Sequence, residues 1–323
     1  MKSFRHVNAK TVAEVVELLK NFEGRAKLIA GGTDLLGMLK DRVLSSYPEA
    51  LINIKTIPEM DYIREESGVL KVGSLIRLRE IIASQLVMEN YGILAQAALS
   101  VGSPQIRSMG TLGGNLCQDV RCWYYRYPHQ MGGRIMCRRK GGGPCAGVSG
   151  DNRYLAIFKG EKCFAVCPSD TAVALAALGA TVRLTGPGGE RTISIEDLYQ
   201  PLGKDLRMDE MITEIQVPHP LDGVEQRFLK FRLRNTIDFA IVSVAVLLTR
   251  SRGICHEARI VLGGVASRPF RASGAEQAIQ GRKINSAVAE TASETAVAEA
   301  VPLSRNAYKI QLVKTLVKRV LLS

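Results

Sequence analysis

No apolar run in the 323-residue sequence approaches the roughly 20 residues that cross a bilayer, so no membrane span is expected. The N-terminus, Met1-Lys-Ser-Phe-Arg-His6, runs straight into an amphipathic pattern. It has no apolar h-region and no small-residue cleavage site, which predicts no secretory signal and a cytoplasmic protein. No internal repeat and no low-complexity segment interrupts the chain. Two glycine-rich turns occur, yet neither is a Gly-Lys-Ser/Thr P-loop or a G-x-G-x-x-G dinucleotide fingerprint. The cysteines show neither the paired C-x2-C of a zinc ribbon nor the compact ferredoxin run. Acidic residues are missing from 121–145 and from 300–323.

Those two stretches carry nearly all of the formal charge of +12. Arg121, Arg126, Arg134, Arg138, Arg139 and Lys140 lie among cysteines, where thiolates would supply negative charge. Arg305, Lys309, Lys314, Lys318 and Arg319 fit the basic, solvated face of a helix. This split argues against a nucleic-acid surface. Seven cysteines, five of them between Cys117 and Cys163, favour metal binding over disulfides.

The pattern along the chain is mixed α/β. Thr11-Val-Ala-Glu14 is a capping box that opens a helix. A strand over 27–30 ends at Gly31-Gly32, and Thr33-Asp34 can cap a helix over 35–40. Strands are expected over 50–54 and 68–73, with Ser74 capping the next helix. Further helices are expected over 93–101 and 171–178, the latter capped by Ser169. A hairpin over 180–185 and 190–195 and a strand over 211–217 follow. Segment 218–223, rich in proline, is the linker candidate. Beyond it, strands over 227–233, 240–248 and 257–262 precede helices over 273–280, 284–300 and 306–322, a three-strand, three-helix α+β domain.

The chemistry concentrates in three places. Ala30-Gly-Gly-Thr-Asp34 turns a strand into a helix, where a backbone without Cβ atoms can approach a phosphate and Thr33 adds a hydroxyl donor. Gly110-Thr-Leu-Gly-Gly-Asn115 is a second loop of the same kind. Two such loops can pinch one pyrophosphate from both sides. Between Asn115 and Ser169 lies the cysteine-bearing segment.

These motifs, in this order, resemble the flavoprotein subunit of the molybdenum-containing hydroxylases, the group of xanthine dehydrogenase, carbon monoxide dehydrogenase and aldehyde oxidoreductase. The resemblance covers essentially the whole chain. It implies an α+β fold. An FAD-binding domain of the vanillyl-alcohol-oxidase (PCMH) type spans 1–220, in lobes of about 1–56 and 57–220. A carbon-monoxide-dehydrogenase-flavoprotein-like C-terminal domain spans 221–323. It also implies FAD contacts at Leu28, Ile29, Ala30, Gly31, Gly32, Thr33, Asp34 and Leu35 of the first loop. Others fall at Val101, at Thr111, Leu112, Gly113, Gly114 and Asn115 of the second loop, and at Asp170. Lys230, Arg234, Asp238 and Ala240 match a K-x3-R-x3-D-x-A pattern in which the lysine approaches the flavin. No residue is expected to act as a catalytic acid or base.

In most of the family the second loop runs within about a dozen residues to the Ser-Asp helix, whereas here an insertion over about 118–167 intervenes. A subset that includes 4-hydroxybenzoyl-CoA reductase and a three-subunit aldehyde oxidoreductase carries such an insertion, which binds an extra [4Fe–4S] cluster. Cys122, Cys137, Cys145 and Cys163 match its ligands, with Cys167 as the competitor for the fourth place. Arg138, Arg139 and Lys140 would offset the cluster's charge, and backbone N–H groups over 141–143 could donate to sulfur. Cys117 and Cys255 are expected to be buried small apolar residues.

The function implied is electron transfer in a multisubunit molybdenum enzyme. A large molybdopterin-binding subunit and a small [2Fe–2S] subunit would be partners, and NAD, ferredoxin or a quinone the external carrier. Two alternatives stand beside it: an iron–sulfur protein that binds nucleic acid or regulates, and a self-contained flavin oxidase.

Overall fold

A computed structural model of the chain describes every residue except 159 and 161. The first lobe alternates strand and helix: β1 (Arg5–Asn8), α1 (Val12–Phe22), β2 (Ala26–Ile29), α2 (Leu35–Lys40) and β3 (Ala50–Asn53). Its sheet is parallel in the order β1-β3-β2. Thr11 caps α1 by accepting from the Glu14 amide, as the capping box predicts. Strand β1 has one apolar residue and sits exposed at the sheet edge, so no alternation marks it in the sequence.

The second lobe opens with β4 (Ile63–Glu66) and β5 (Val69–Gly73). Five short helices follow: α3 (Leu78–Ala83), α4 (Gln85–Asn90), α5 (Gly92–Leu99), α6 (Pro104–Met109) and α7 (Leu112–Cys117). Ser74 does not cap the first of these, which begins only at Leu78. The Ser74 amide donates instead to the Thr213 carbonyl. After the insertion, which holds α8 (Ala146–Ser149), come α9 (Asp170–Ala177), β6 (Thr181–Gly186), β7 (Gly189–Ser194), the small pair β8 (Tyr199–Gln200) and β9 (Gly203–Lys204), and β10 (Met211–Pro218). The main sheet is antiparallel in the order β4-β5-β10-β6-β7. Every residue of α9 is buried. Its alanines let the helix sit in one core with Leu70 and Val182 on this side and Ala245 and Val261 on the other.

The C-terminal sheet runs β11 (Glu225–Phe231), β12 (Val242–Ser251), β13 (Ile254–Gly263), with a two-residue edge strand β14 (Phe270–Arg271) beyond the three expected. Strand β12 is buried on both faces: Ala245 joins the α9 core, while Val242, Val244, Val246 and Leu248 face α10 (Ser273–Ile279), α11 (Ser286–Thr295) and α12 (Tyr308–Leu322). The basic face expected of α12 is largely consumed within the domain. Lys309 is fully buried, and Lys314 and Lys318 pair with Glu294 and Glu290 of α11.

Segment 118–167 has little regular structure but is tied at both ends. Val120 and Tyr125 near its start, joined by Ala165 from its last residues, pack on Met38 and Val43 from the first lobe. Near its end Ile157 and Phe158 enter the C-terminal core, and both amides donate to the Val265 carbonyl. Phe158 stacks on Phe270 at 4.1 Å. Asn306 donates to the Leu155 and Ala156 carbonyls, and Lys309 to those of Tyr154 and Gly264. A long segment without its own core is held by such contacts.

Candidate functional site

The two glycine loops touch. A Cβ at Gly31 would overlap the carbonyl oxygen of Met109, so the first loop lies directly on the start of the second. Gly32 has φ +70°, the left-handed region that favours glycine. In the second loop Thr111 caps α7 by accepting from the Gly114 amide at 3.1 Å. Gly113 lies against Ser74, with no room for a side chain.

Two cavities meet across this contact and share Thr33, Asp34, Thr111, Gly114 and Gln118. One, of about 370 Å³, is lined by Leu28, Ile29, Ala30, Gly31, Gly32 and Leu35. The other, of about 270 Å³, is lined by Val101, Asn115, Asp170 and Lys230. The expected contact residues therefore line one continuous cleft, except Leu112 and Gly113, which are buried behind it. Gln118, Arg121, Arg126, Ile106, Ile237 and Phe239 also line the second cavity and were not singled out as flavin contacts. They come from three separate parts of the chain, and no local pattern marks them.

Buried polar contacts fix the cleft floor. Lys230 and Asp170 form an ion pair at 2.6 Å with side chains 4% and 6% exposed, joining the C-terminal domain to the start of α9. Burial pushes the Asp170 carboxyl above its usual range, against the pull of Lys230. Asn115 accepts from both Ser169 and Thr171, which locks the second loop to the same helix start. Ser169 caps α9 through the Ala172 amide. Asp238 pairs instead with the exposed Arg234, four residues before it.

Asp34 lies in the helix-cap position but makes no cap hydrogen bond. Its carboxylate binds Arg121 and Arg126, each at 2.7 Å, and accepts from the Asp119 amide. Asp119 in turn accepts from Tyr125 and Arg139. Burial alone would raise its carboxyl, but the Tyr125 hydroxyl, Lys204 and Arg139 outweigh it and hold the group below the usual range. Arg139 also donates to Cys163 Sγ at 3.4 Å. A polar chain thus runs from the first glycine loop to a cysteine.

Cys122, Cys137, Cys145 and Cys163 line one small cavity with Tyr124, Tyr125, Arg138, Arg139 and Lys162. Cys167 lies outside it, buried in the α9 core, where burial pushes its thiol up to about 11. Cys117 is exposed on the cleft wall rather than buried, whereas Cys255 is buried as expected. The amides of Gly141 and Gly142 close a turn on the Arg138 and Cys137 carbonyls and do not reach sulfur; the Ala165 amide donates to Cys163 Sγ instead. Lys140 is 4% exposed, and its ammonium has no hydrogen-bond partner among the described residues. Among those residues no three His, Cys, Asp or Glu side chains converge closely enough to hold a single metal ion.

Residues 2–220 match the family described as FAD binding domain in molybdopterin dehydrogenase, and residues 227–323 match the CO dehydrogenase flavoprotein C-terminal domain. The chain is 34% identical to the aldehyde oxidoreductase FAD-binding subunit PaoB of Escherichia coli (strain K12), over 99% of this chain and 98% of that one. It is 29% identical to the carbon monoxide dehydrogenase medium chain of Hydrogenophaga pseudoflava, over 98% and 96%. A solved carbon monoxide dehydrogenase from the same organism superposes with a TM-score of 0.79 at 28% identity, covering 98% of this chain and 96% of the other. These matches support neither a nucleic-acid-binding protein nor a self-contained flavin oxidase. Among the described residues no helix is long and apolar enough to cross a membrane.

Proposed function

The chain belongs to the family of FAD-binding subunits of molybdopterin dehydrogenases, and on that premise we propose how its cleft and its cysteine cavity divide the work. The protein is the electron-transfer flavoprotein subunit of a multisubunit molybdenum-containing oxidoreductase. A large molybdopterin-binding chain and a small [2Fe–2S] chain are its partners in this reading, and the substrate is chosen by the large one.

The observation that carries the reading is the direct packing of the two glycine loops across one cleft. Where neither loop carries a Cβ, the backbone can close on a pyrophosphate. Gly31, Gly32, Thr33 and Thr111 would hold the diphosphate. Val101, Asn115, Asp170 and Lys230 line the cavity at the other end and would hold the ring system. Bound FAD supplies the junction between single-electron carriers and two-electron chemistry. The Lys230–Asp170 pair ties the C-terminal domain to the start of α9 at the cleft floor, where the two charges offset each other.

The insertion fits a [4Fe–4S] cluster held by Cys122, Cys137, Cys145 and Cys163. Its chemistry would be a one-electron relay beside the flavin. Support comes from the donor set and from Lys140. A buried ammonium with no hydrogen-bond partner among the described residues, only the Tyr125 ring at 5.5 Å, is costly, and four thiolates around a cluster of net negative charge would compensate it. Arg139 would donate to the Cys163 sulfur and tune it from outside the ligand set. Zinc fits less well, since a single ion would require the ligands to converge.

The test is composition. The chain, purified without oxygen, should carry about one FAD and about four iron atoms. A flavin-free preparation overturns the function; a flavin-replete one containing zinc, or no metal, overturns the cluster alone.

A further inference from the structure

Between the second flavin cavity and the cysteine cavity lies a third, of about 520 Å³, lined by none of the residues expected to contact FAD. It shares Arg121, Asp238 and Phe239 with the flavin side, and Cys122 and Leu155 with the cysteine side. Trp123, Tyr154, Leu233 and Phe239 line it and are all exposed. Four large apolar side chains left open to solvent in one concave site mark a ligand pocket more than a solvated surface.

The walls have a chemistry. Trp123 and Tyr154 meet edge to face at 5.7 Å. Arg121 lies over the Phe239 ring at 4.6 Å, and Arg153 over those of Trp123 and Tyr154. Electron-rich ring faces attract cations and, by the same quadrupole, electron-poor rings. The charged groups at the pocket wall are already paired, Arg121 with Asp34 and Arg234 with Asp238, which suits an uncharged ligand. No glycine is found among the described residues lining it, so it offers no close backbone approach for a pyrophosphate. The volume suits a drug-sized molecule and its concave shape does not suit a protein carrier.

We propose that this pocket binds a planar quinone, the external electron acceptor of the enzyme. The proposal rests on the reading of the chain as the flavin subunit and narrows its acceptor class. As acceptor the quinone would gain two electrons and two protons and leave as the hydroquinone. The electrons are those the dehydrogenase removes from its substrate, and the protons come from solvent at the open mouth. The pocket's place, touching both cofactor cavities, is what an acceptor needs and what a structural ligand does not.

Trp123 is the only tryptophan in the chain, so its fluorescence reports this pocket alone. The full chain, flavin bound, is titrated with 2,3-dimethyl-1,4-naphthoquinone, whose substituted ring carbons resist thiol addition. Saturable quenching at one quinone per chain is expected, with calorimetry giving the same affinity. Leu233→Glu and Tyr154→Ala change exposed side chains and should keep the flavin content, yet weaken binding by about tenfold or more. Linear quenching, or saturable binding that neither variant alters, overturns the proposal. So does binding to the chain that disappears in the assembled enzyme, which would make the pocket a subunit contact. A chain that arrives without flavin refutes the parent reading instead, and the two failures are told apart by its visible absorbance.

Discussion

At Gly31 the shape of the cleft depends on one missing methyl. The two loops approach so closely that a Cβ there would enter the Met109 carbonyl. Gly37, two positions into α2, also lines the cleft but has open space around it. Alanine at these positions therefore separates two meanings of glycine. Gly31→Ala should force the loops apart at a cost of about 1–3 kcal/mol, seen as roughly tenfold to hundredfold weaker FAD binding. Gly37→Ala should keep its flavin and gain about 0.5–1 kcal/mol from the helix. Absorbance of the purified chains, set beside thermal unfolding, reads both. Equal flavin loss in both variants would show that loop contact is not what shapes the cleft. The motif around Gly31 was legible because glycine's physics is local. Asp34 beside it was not: it looked like a helix cap, and only the arrival of Arg121 and Arg126 from far along the chain turns its carboxylate away.

Among the elements, α12 does more than close the C-terminal domain. It carries Lys309 into the interior, where the ammonium donates to the carbonyls of Tyr154 and Gly264 and, among the described residues, faces no carboxylate in hydrogen-bond range. Burial pushes this lysine down to about 7. The unfolded chain keeps it protonated to about pH 10.4. Between those values the unfolded state holds more protons, so stability rises with pH across that window; below about 7 the term is constant. Relative to Lys309→Met, the wild type should gain up to about 1.4 kcal/mol per pH unit above neutrality. Denaturant unfolding of both proteins at pH 6, 7, 8 and 9 gives the difference directly. A flat difference would mean the buried amine stays charged. The sequence placed this lysine on a solvated basic face, because helical periodicity reports which face a residue is on only when the partner surface is known. Strand β1 escaped notice for the opposite reason: four mostly exposed residues at a sheet edge leave no periodic trace. Elements with dense apolar cores, such as α9, β10 and β12, were anticipated to within a few residues, since their own composition decides them.

For the molecule as a whole, the order of the domains follows the order of the motifs, and both were readable from the sequence. The relation between domains was not. The Lys230–Asp170 pair spans sixty residues, and the seam of Asn306 and Lys309 against 154–156 spans about a hundred and fifty. Neither leaves a mark in any local window. The insertion shows what this means for stability. Its middle, around Arg134 to Lys140, has one short turn of its own and is tied down by Arg134 and Arg139, with the cysteine cavity behind it. Without iron this part should be the first site cut by trypsin, at Arg134, Arg138, Arg139 or Lys140, while the iron-loaded chain resists. Mass spectrometry of the earliest fragments checks this. Identical first cuts with and without iron would detach the order of the loop from its metal. The same cysteine set, scattered over more than forty residues, was grouped only by analogy; one cavity is lined by all four of its members, while Cys167 lies in the core.

The double anchoring of segment 118–167 also limits how it can be moved between proteins. One end is stitched to the first lobe through Asp34 and Arg126, the other to the turn just before α12 through Asn306. Anyone transplanting the cysteine loop into a relative that lacks it must therefore carry three pieces of sequence, not one. A graft cut at the obvious boundaries would bring the ligands without the sockets that seat them.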